Sequence, residues 1–350
     1  MRSFDALLRE IVSAIRKTDR ENAFLPLEPK ELEEASRAYF ERGGKFLRPA
    51  LCLTIAHALG GKEAARRALI PALATEYFHL FTLVHDDVID HDDLRRGADA
   101  AHVLAKKRAG IECEERAAEY GVSCAILAGD ALLGRAVELL SRTELSSEKK
   151  LTLITRLTGH TLPLLLSGEA LDTKLAYLDG VPSEGVLKTV YRNKTGVLFA
   201  FALYAGALCA CNGEPKKELV DAIDAAACDI GEAFQLTDDY LGLTASEEAM
   251  GKPTLSDIRE GKRTFFVRFA FDRATEEERA FLSLVLSNAD ACEKDVLRAR
   301  DLLLAYGTPI YENRVNEAKR RADALLSHLP EGEARTLLGD LFEMMIRRQH

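Results

Sequence analysis

The chain is predicted to be all-α, a single domain of long helices over residues 1–350, and three observations predict it. Ala and Leu dominate a composition with no Trp and only 23 Gly and 10 Pro, which favours helix. Apolar residues recur with helical spacing almost everywhere, and no convincing alternating run marks a strand. Between Pro71 and Pro163 there is no proline, which allows long uninterrupted helices.

Taken in order, the periodicity predicts helices over 3–18, 29–41, 46–59, 62–91, 114–142 and 147–173. It continues over 183–194, 196–211, 215–247, 263–273, 275–289, 291–306, 308–328 and 331–347. An amphipathic pattern with charges begins directly after Met1 to Asp5, so no signal peptide fits the start. Gly43-Gly44, Gly60-Gly61, Asn212-Gly213 and Gly307 punctuate the pattern. Pro29, Pro182, Pro215, Pro309 and Pro330 stand at or beside helix starts. Pro71 lies early in an apolar helix and is expected to kink or open it. Thr195 to Gly213 carries no charged residue and is at the short end for a bilayer span. It stands alone and follows Tyr191-Arg192-Asn193-Lys194, so it reads as a helix buried on all sides in a large helical fold.

With 47% hydrophobic and 29% charged residues, the chain is neither disordered nor a polytopic membrane protein. Its formal net charge of −9 excludes a general attraction to nucleic acid or anionic membrane. An anionic substrate therefore needs a local cluster of bases or a bound metal. The seven cysteines, Cys52, Cys113, Cys124, Cys209, Cys211, Cys228 and Cys292, are odd in number and form no CxxC. They read as reduced thiols of a cytosolic protein. Cys209 and Cys211, two apart on a helix, point to nearly opposite faces, so buried small hydrophobes is the stronger reading than zinc.

Three constellations carry chemistry. In His85-Asp86-Asp87-Val88-Ile89-Asp90 the carboxylates of Asp86 and Asp90 share one helix face, with Asp87 beside them, at the end of an apolar element. Acids there oppose the helix dipole, and a cation offsets the repulsion. A second apolar helix ends in Gln235-Leu236-Thr237-Asp238-Asp239. Hard oxygen ligands without Cys or His partners argue for Mg²⁺ held by few carboxylates plus substrate phosphates. The third set is basic: Gly44-Lys45 with Arg48 one turn on, Arg95-Arg96, Lys194-Thr195, Lys252 and Lys262-Arg263. Glycines beside a lysine at a helix start expose backbone N–H groups to an anion. Together these predict two diphosphates, one held through Mg²⁺ and one through Lys and Arg alone, above an apolar channel.

These residues resemble the trans-isoprenyl diphosphate synthases, the polyprenyl synthetase family, from about Gly43 to Arg263 and more loosely beyond. The first aspartate motif, DDxxDxxxxRRG, is matched by Asp86, Asp87, Asp90, Arg95, Arg96 and Gly97 without a gap. Lys45, Arg48, Lys194-Thr195, Gln235 and Asp238-Asp239 follow in family order, and Ala125 to Asp130 is also similar. The resemblance is closest to short-chain, archaeal-type geranylgeranyl and farnesyl diphosphate synthases. It implies a helical bundle around a central apolar cavity, the isoprenoid synthase fold, and a cytoplasmic homodimer. It implies three Mg²⁺ per site between the two aspartate motifs, with Asp86, Asp90 and Asp238 as metal ligands and Asp87 and Asp239 supporting. Arg95, Lys194 and Lys252 are implied to contact the allylic diphosphate. Lys45, Arg48, His79 and Arg96 are implied to hold isopentenyl diphosphate without metal. Thr195 and Gln235 face the developing cation, and Lys262 belongs to the closing side of the site.

Product length is expected to be set below the first motif by Phe81 and Thr82, with Tyr77 and Phe78 a turn deeper. An aromatic at Phe81 beside a small residue resembles geranylgeranyl synthases, so mainly geranylgeranyl diphosphate with some farnesyl diphosphate is expected. Gly242 stands where many members have a third Asp, and Asp99-Ala100 replaces a usual Pro-Thr. The charged stretch Lys106 to Tyr120 is an insertion expected at the surface. Alternatives are a longer-chain synthase and a weakly catalytic or regulatory subunit of one. A di-iron protein is excluded because Glu76-Tyr77-Phe78-His79 is the only ExxH and that chemistry needs two.

Overall fold

A computed structural model of the protein describes residues 4–24, 26–178, 180–244, 255–288 and 290–347. Its regular structure is helical apart from one two-residue hairpin. The chain forms two compact units. The first is Met1–Thr161, Phe201–Lys217 and Leu329–Leu338; the second is Leu162–Ala200, Glu218–His328 and Gly339–His350.

The first unit contains α1 (Phe4–Glu21), α2 (Lys30–Arg42), α3 (Leu47–Arg67), α4 (Leu69–Ile89), the hairpin β1 (Leu94–Arg95) and β2 (Ala98–Asp99), α5 (Ala101–Arg108), α6 (Glu114–Ser141) and α7 (Ser147–Arg156). Helix α4 is apolar around most of its circumference, and Leu73, Phe78, Leu80, Phe81 and Val84 are all buried. Such a helix belongs at the centre of its unit, packed between neighbours. Tyr77 of α4 stacks on Phe40 of α2 with centroids 5.6 Å apart and donates a 2.6 Å hydrogen bond to Asp19 of α1.

Pro71 opens α4, falling in its first turn. The expected break at Gly60-Gly61 is a kink inside α3, where Gly61 takes φ 68°; the helix resumes and runs on to Arg67. The hairpin was not legible as strand, because two residues per side are too few to show alternation. Its turn residues Arg96 (φ 56°) and Gly97 (φ 75°) are both left-handed, the geometry of a two-residue hairpin loop. Helix α5 was also not expected. The insertion Lys106–Tyr120 comprises the end of α5, a turn and the start of α6, and most of it is exposed.

The second unit contains α8 (Leu162–Ala176), α9 (Glu184–Tyr191), the first residues of α10 (Val197–Ala210), α11 (Lys217–Thr244), α12 (Ser256–Glu260), α13 (Phe265–Arg273), α14 (Glu276–Val285), α15 (Glu293–Leu326) and most of α16 (Glu333–Ile346). Side-chain oxygens cap α9 (Ser183), α13 (Thr264) and α14 (Thr275, in a capping box with Glu278), each satisfying an orphan N–H. Leu187, Leu236, Phe265, Phe266, Leu282, Val296 and Leu303 form its core.

Several segments differ from the sequence expectation, including α12, which was not expected as a helix. Residues 291–306 and 308–328 are one helix, α15, not two. Gly307 is there for close packing rather than to end a helix, since a Cβ at that position would lie 2.2 Å from Cδ1 of Phe266. The expected helix 147–173 is interrupted by a π-turn at Leu157–Thr161, and a second π-turn, Arg192–Gly196, joins α9 to α10. Among the described residues one helical stretch, Glu184–Ala210, is long and apolar enough to cross a bilayer, and most of it is buried inside the protein. Cys52 and Cys209 are buried, and burial pushes the Cys209 thiol up to about 12.

Candidate active site

The first-unit residues gather where α4 ends. Asp87 is fully buried. One of its oxygens accepts from the Tyr39 hydroxyl, and the other accepts from Nε of Arg95 at 2.7 Å. Arg95 also lies 3.5 Å from Asp92 and 3.9 Å from Asp86. Asp86 is half-buried on the last turn, and Asp90 is the exposed C-cap of α4. The sequence placed Asp86 and Asp90 on one face, and the structure adds that Asp87 is committed to an internal network. Burial and then Asp87 push the Tyr39 phenol well up, so it stays protonated as the donor.

The basic residues of this unit lie alongside. Arg96 donates from Nη1 to the carbonyl of Tyr39 at 2.9 Å. Its guanidinium lies against Gly44, where a Cβ would come within 2.8 Å of Nη2; any side chain at 44 would displace it. Lys45 is exposed and Arg48 half-buried, one on each side of the α3 start. His79 lies within electrostatic reach of Arg48, Arg96 and Arg95. Burial and then these cations hold its imidazole well below the usual histidine range, so it is neutral and can offer a hydrogen bond. One turn earlier Glu76 is 3% exposed, and burial raises its carboxyl to about 7 against the pull of Arg48 and Arg96.

Above these groups on α4, Phe81 is buried between Phe78 and His85, with edge-to-face contacts at 5.2 Å on both sides. Thr82 is half-buried and donates to the carbonyl of His79 at 2.7 Å. Phe78 is fully enclosed, and Tyr77 is tied to Asp19 as described. The His85 ring lies in a notch of α6 that Gly129 leaves open, since a Cβ there would be 2.1 Å from Nε2.

The second-unit residues surround the Arg192–Gly196 π-turn and the end of α11. A π-turn widens the helix and redirects the side chains it contains. Lys194 and Thr195 lie within it. The Lys194 ammonium is paired with Glu169 at 3.0 Å and Asp172 at 2.9 Å, both on α8. Gly196 and Gly231 meet where a Cβ on Gly231 would stand 2.5 Å from the Gly196 Cα, bringing α11 against the turn. On α11, Gln235 and Asp238 are half-buried and Asp239 is buried. Asp239 accepts from the Tyr191 hydroxyl. Burial raises the Asp239 carboxyl well above the ordinary range, with Asp257 and Asp238 adding to it against Tyr191 and Lys262. Lys262 pairs with Asp257 at 2.9 Å. Lys252 lies outside the described residues.

Several residues of these networks were not singled out from the sequence, among them Tyr39, Tyr191, Glu76 as a neighbour of the arginines, Asp257, and the Lys194 partners Glu169 and Asp172. The carboxylate of Asp257 is 3.1 Å from where a Cβ on Gly242 would be, so an acid from another element approaches the position that lacks one. The only sequence signal for the tyrosines is that each precedes its aspartate by 48 residues.

The donor set fits Mg²⁺. Within the first unit Asp86 and Asp90, and within the second Asp238, carry the hard carboxylate oxygens that suit it, and among the described residues no three His, Cys, Asp or Glu side chains form a metal cluster by themselves. A hydrated cation that arrives with phosphate oxygens needs only a few carboxylates.

Residues 29–303 match the family described as polyprenyl synthetase. The chain is 35% identical over 323 residues to a short chain isoprenyl diphosphate synthase of Methanothermobacter thermautotrophicus, covering 92% of each chain. It is 32% identical over 330 residues to a geranylfarnesyl diphosphate synthase of Aeropyrum pernix, covering 93% of this chain and 96% of the relative. The crystal structure of geranylgeranyl pyrophosphate synthetase from Pyrococcus horikoshii superposes with a TM-score of 0.84 at 31% identity, covering 99% and 98% of the two chains. A match of this extent, to a family whose aspartate and arginine motifs stand here in order, has one meaning: the chain belongs to the polyprenyl synthetase family.

Proposed function

We propose that this prenyltransferase condenses isopentenyl diphosphate head to tail with allylic diphosphates and makes mainly geranylgeranyl diphosphate, with some farnesyl diphosphate released. The observation that carries the reading lies within the first unit. Carboxylates suited to Mg²⁺ (Asp86 and Asp90) end the same helix that carries His79, which lies within electrostatic reach of Arg48, Arg96 and Arg95. This supports a reading in which diphosphate is held in two ways, through metal and through bases alone.

The family is generally Mg²⁺-dependent. When bound with the allylic diphosphate, Mg²⁺ neutralises charge on the leaving group. Asp86, Asp90 and Asp238 are its ligands in this reading, three ions per site. Lys194, Arg95 and Lys252 bind the same diphosphate, and Lys262 belongs to the side that closes. Lys45, Arg48, His79 and Arg96 hold isopentenyl diphosphate, neutral His79 by hydrogen bonding. The allylic C–O bond breaks and its electron pair leaves with diphosphate. The isopentenyl double bond attacks the cation to form the new C–C bond, and the proton then lost goes to the departing diphosphate. Thr195 and Gln235 orient toward the cation, and closure excludes water that would quench it. Phe81, with Thr82, Phe78 and Tyr77 on the same helix, limits the growing chain. The enzyme works as a cytoplasmic homodimer.

The resemblance to a geranylfarnesyl synthase favours a second reading, a product one five-carbon unit longer. Incubating the purified protein with Mg²⁺, isopentenyl diphosphate and dimethylallyl, geranyl or farnesyl diphosphate, then sizing the products, tests both. No product from any primer overturns the function.

A further inference from the structure

Tyr39 of α2 is completely buried and uses both of its polar ends. Its hydroxyl donates to Oδ2 of Asp87 and accepts from the backbone N–H of Ala101 at 2.9 Å. Its main-chain carbonyl accepts from Nη1 of Arg96 at 2.9 Å. Asp87 in turn accepts from Nε of Arg95 through its other oxygen. The hydroxyl therefore reaches Arg95 through one carboxylate, whereas Arg96 is held by backbone that no substitution at position 39 removes.

One turn along α2, Arg42 lies over the Tyr39 ring at 5.6 Å and donates to the carbonyls of Asp99 (2.7 Å) and Arg95 (3.4 Å). The strands that carry Arg95 and Asp99 are thus held to α2 at three points: through Asp87, through Arg96 and through Arg42. A carboxylate buried as deeply as Asp87 is costly unless its oxygens are satisfied, and Tyr39 and Arg95 satisfy it together. Removing the phenol leaves Asp87 one donor short and lets the Arg95 guanidinium shift toward Asp86 and Asp92, both already within 4 Å.

We propose that Tyr39 is a positioning residue whose hydroxyl, acting through Asp87, sets Arg95 for the allylic diphosphate, while its carbonyl separately sets Arg96 for the metal-free diphosphate. The inference rests on the assignment of Arg95 and Arg96 to different substrates made above. It goes further in naming one residue that serves both, and in predicting that a single side-chain atom separates them.

Tyr39→Phe deletes that atom and keeps the ring and carbonyl. A hydrogen bond to a charged group makes a difference of about tenfold in binding. The expected result in the purified full-length protein is therefore a KM for the allylic primer raised about tenfold, with the KM for isopentenyl diphosphate changed by less than about twofold. Calorimetric titration with inorganic diphosphate and Mg²⁺, which needs no turnover, should show the same weakening. The effect should also vanish in an Asp87→Asn background, because the path runs through that carboxylate. Equal changes in both KM values, no change in either, or full additivity with Asp87→Asn overturns the proposal. Should Tyr39→Phe fail to fold, the split is read from Asp87→Asn alone, where an unchanged primer KM overturns it. If the wild-type protein makes no prenyl product, the functional reading has failed; if it does and the split is absent, only the role of Tyr39 has.

Discussion

Tyr191 donates its phenolic proton to Oδ2 of Asp239, 48 residues further along the chain. Both groups are buried, and burial pushes the phenol up, with Asp239 adding to the shift. In the first unit Asp87 receives a tyrosine hydroxyl across the same separation. The second acid of each pair is thus anchored from within its own unit. Asp86 and Asp238, the first acids of the pairs, are half-buried, which is the exposure a ligand for an arriving cation needs.

Asp86→Ala and Asp238→Ala each lower condensation by at least about 10²-fold while circular dichroism and melting temperature stay close to wild type. Neither side chain is a core anchor, and the reaction requires the leaving-group charge to be neutralised. Ordinary turnover by both variants in Mg²⁺ rules out the metal assignment.

Chelation stops turnover without unfolding the protein. Asp86, Asp90 and Asp238, the ligands assigned above, are half-buried or exposed rather than buried in a core. A thermal melt with and without EDTA should superimpose, and restored Mg²⁺ should restore activity.

Arg48→Ala raises the KM for isopentenyl diphosphate about tenfold or more and that for the allylic primer much less. In the proposed assignment the metal-free diphosphate depends on Lys and Arg to offset its charge, with neutral His79 adding only a hydrogen bond. Equal changes in the two constants contradict the assignment.

Phe81→Ala lengthens the product. Phe81 is buried between the rings of Phe78 and His85. If it were core alone, its loss would cost roughly 3–5 kcal/mol with no change in chain length. A folded variant making longer prenyl chains supports the length-setting role, and an unstable one with an unchanged product distribution places the floor elsewhere.

Glu76 gives stability a specific pH dependence. Unfolded, its carboxyl loses the proton near the ordinary 4.5; folded, burial keeps the proton to about 7. Between those values the folded state binds more protons, so the Glu76 contribution is greatest at the acid end and falls as pH rises. The full difference is roughly 3 kcal/mol. Glu76→Gln, which stays neutral, should flatten the decline in urea midpoints between pH 5 and 7. An unchanged slope assigns the dependence to other groups.

The helical class followed from the sequence because helical spacing is a local property, and the burial of 197–210 followed from its lack of charge. The aspartate motif was legible for the same reason: Asp86, Asp87 and Asp90 are neighbours on one turn, whatever packs around them. The basic residues were legible as types, and the family resemblance supplied their proposed roles. Where local signals conflicted with packing, the sequence misled. Gly307 read as a break and Pro309 as the start of a new helix, yet α15 passes through both, and Gly307 makes room for the Phe266 ring. Only the tertiary structure decided that Lys194 and Thr195 lie in a π-turn, with Gly196 pressed against Gly231. It alone joined Tyr39 to Asp87 and Tyr191 to Asp239, and enclosed Glu76 and His79 deeply enough to alter their ionisation. Hydrogen bonds across 48 residues and desolvation both depend on what the folded chain brings close, and periodicity carries no record of that.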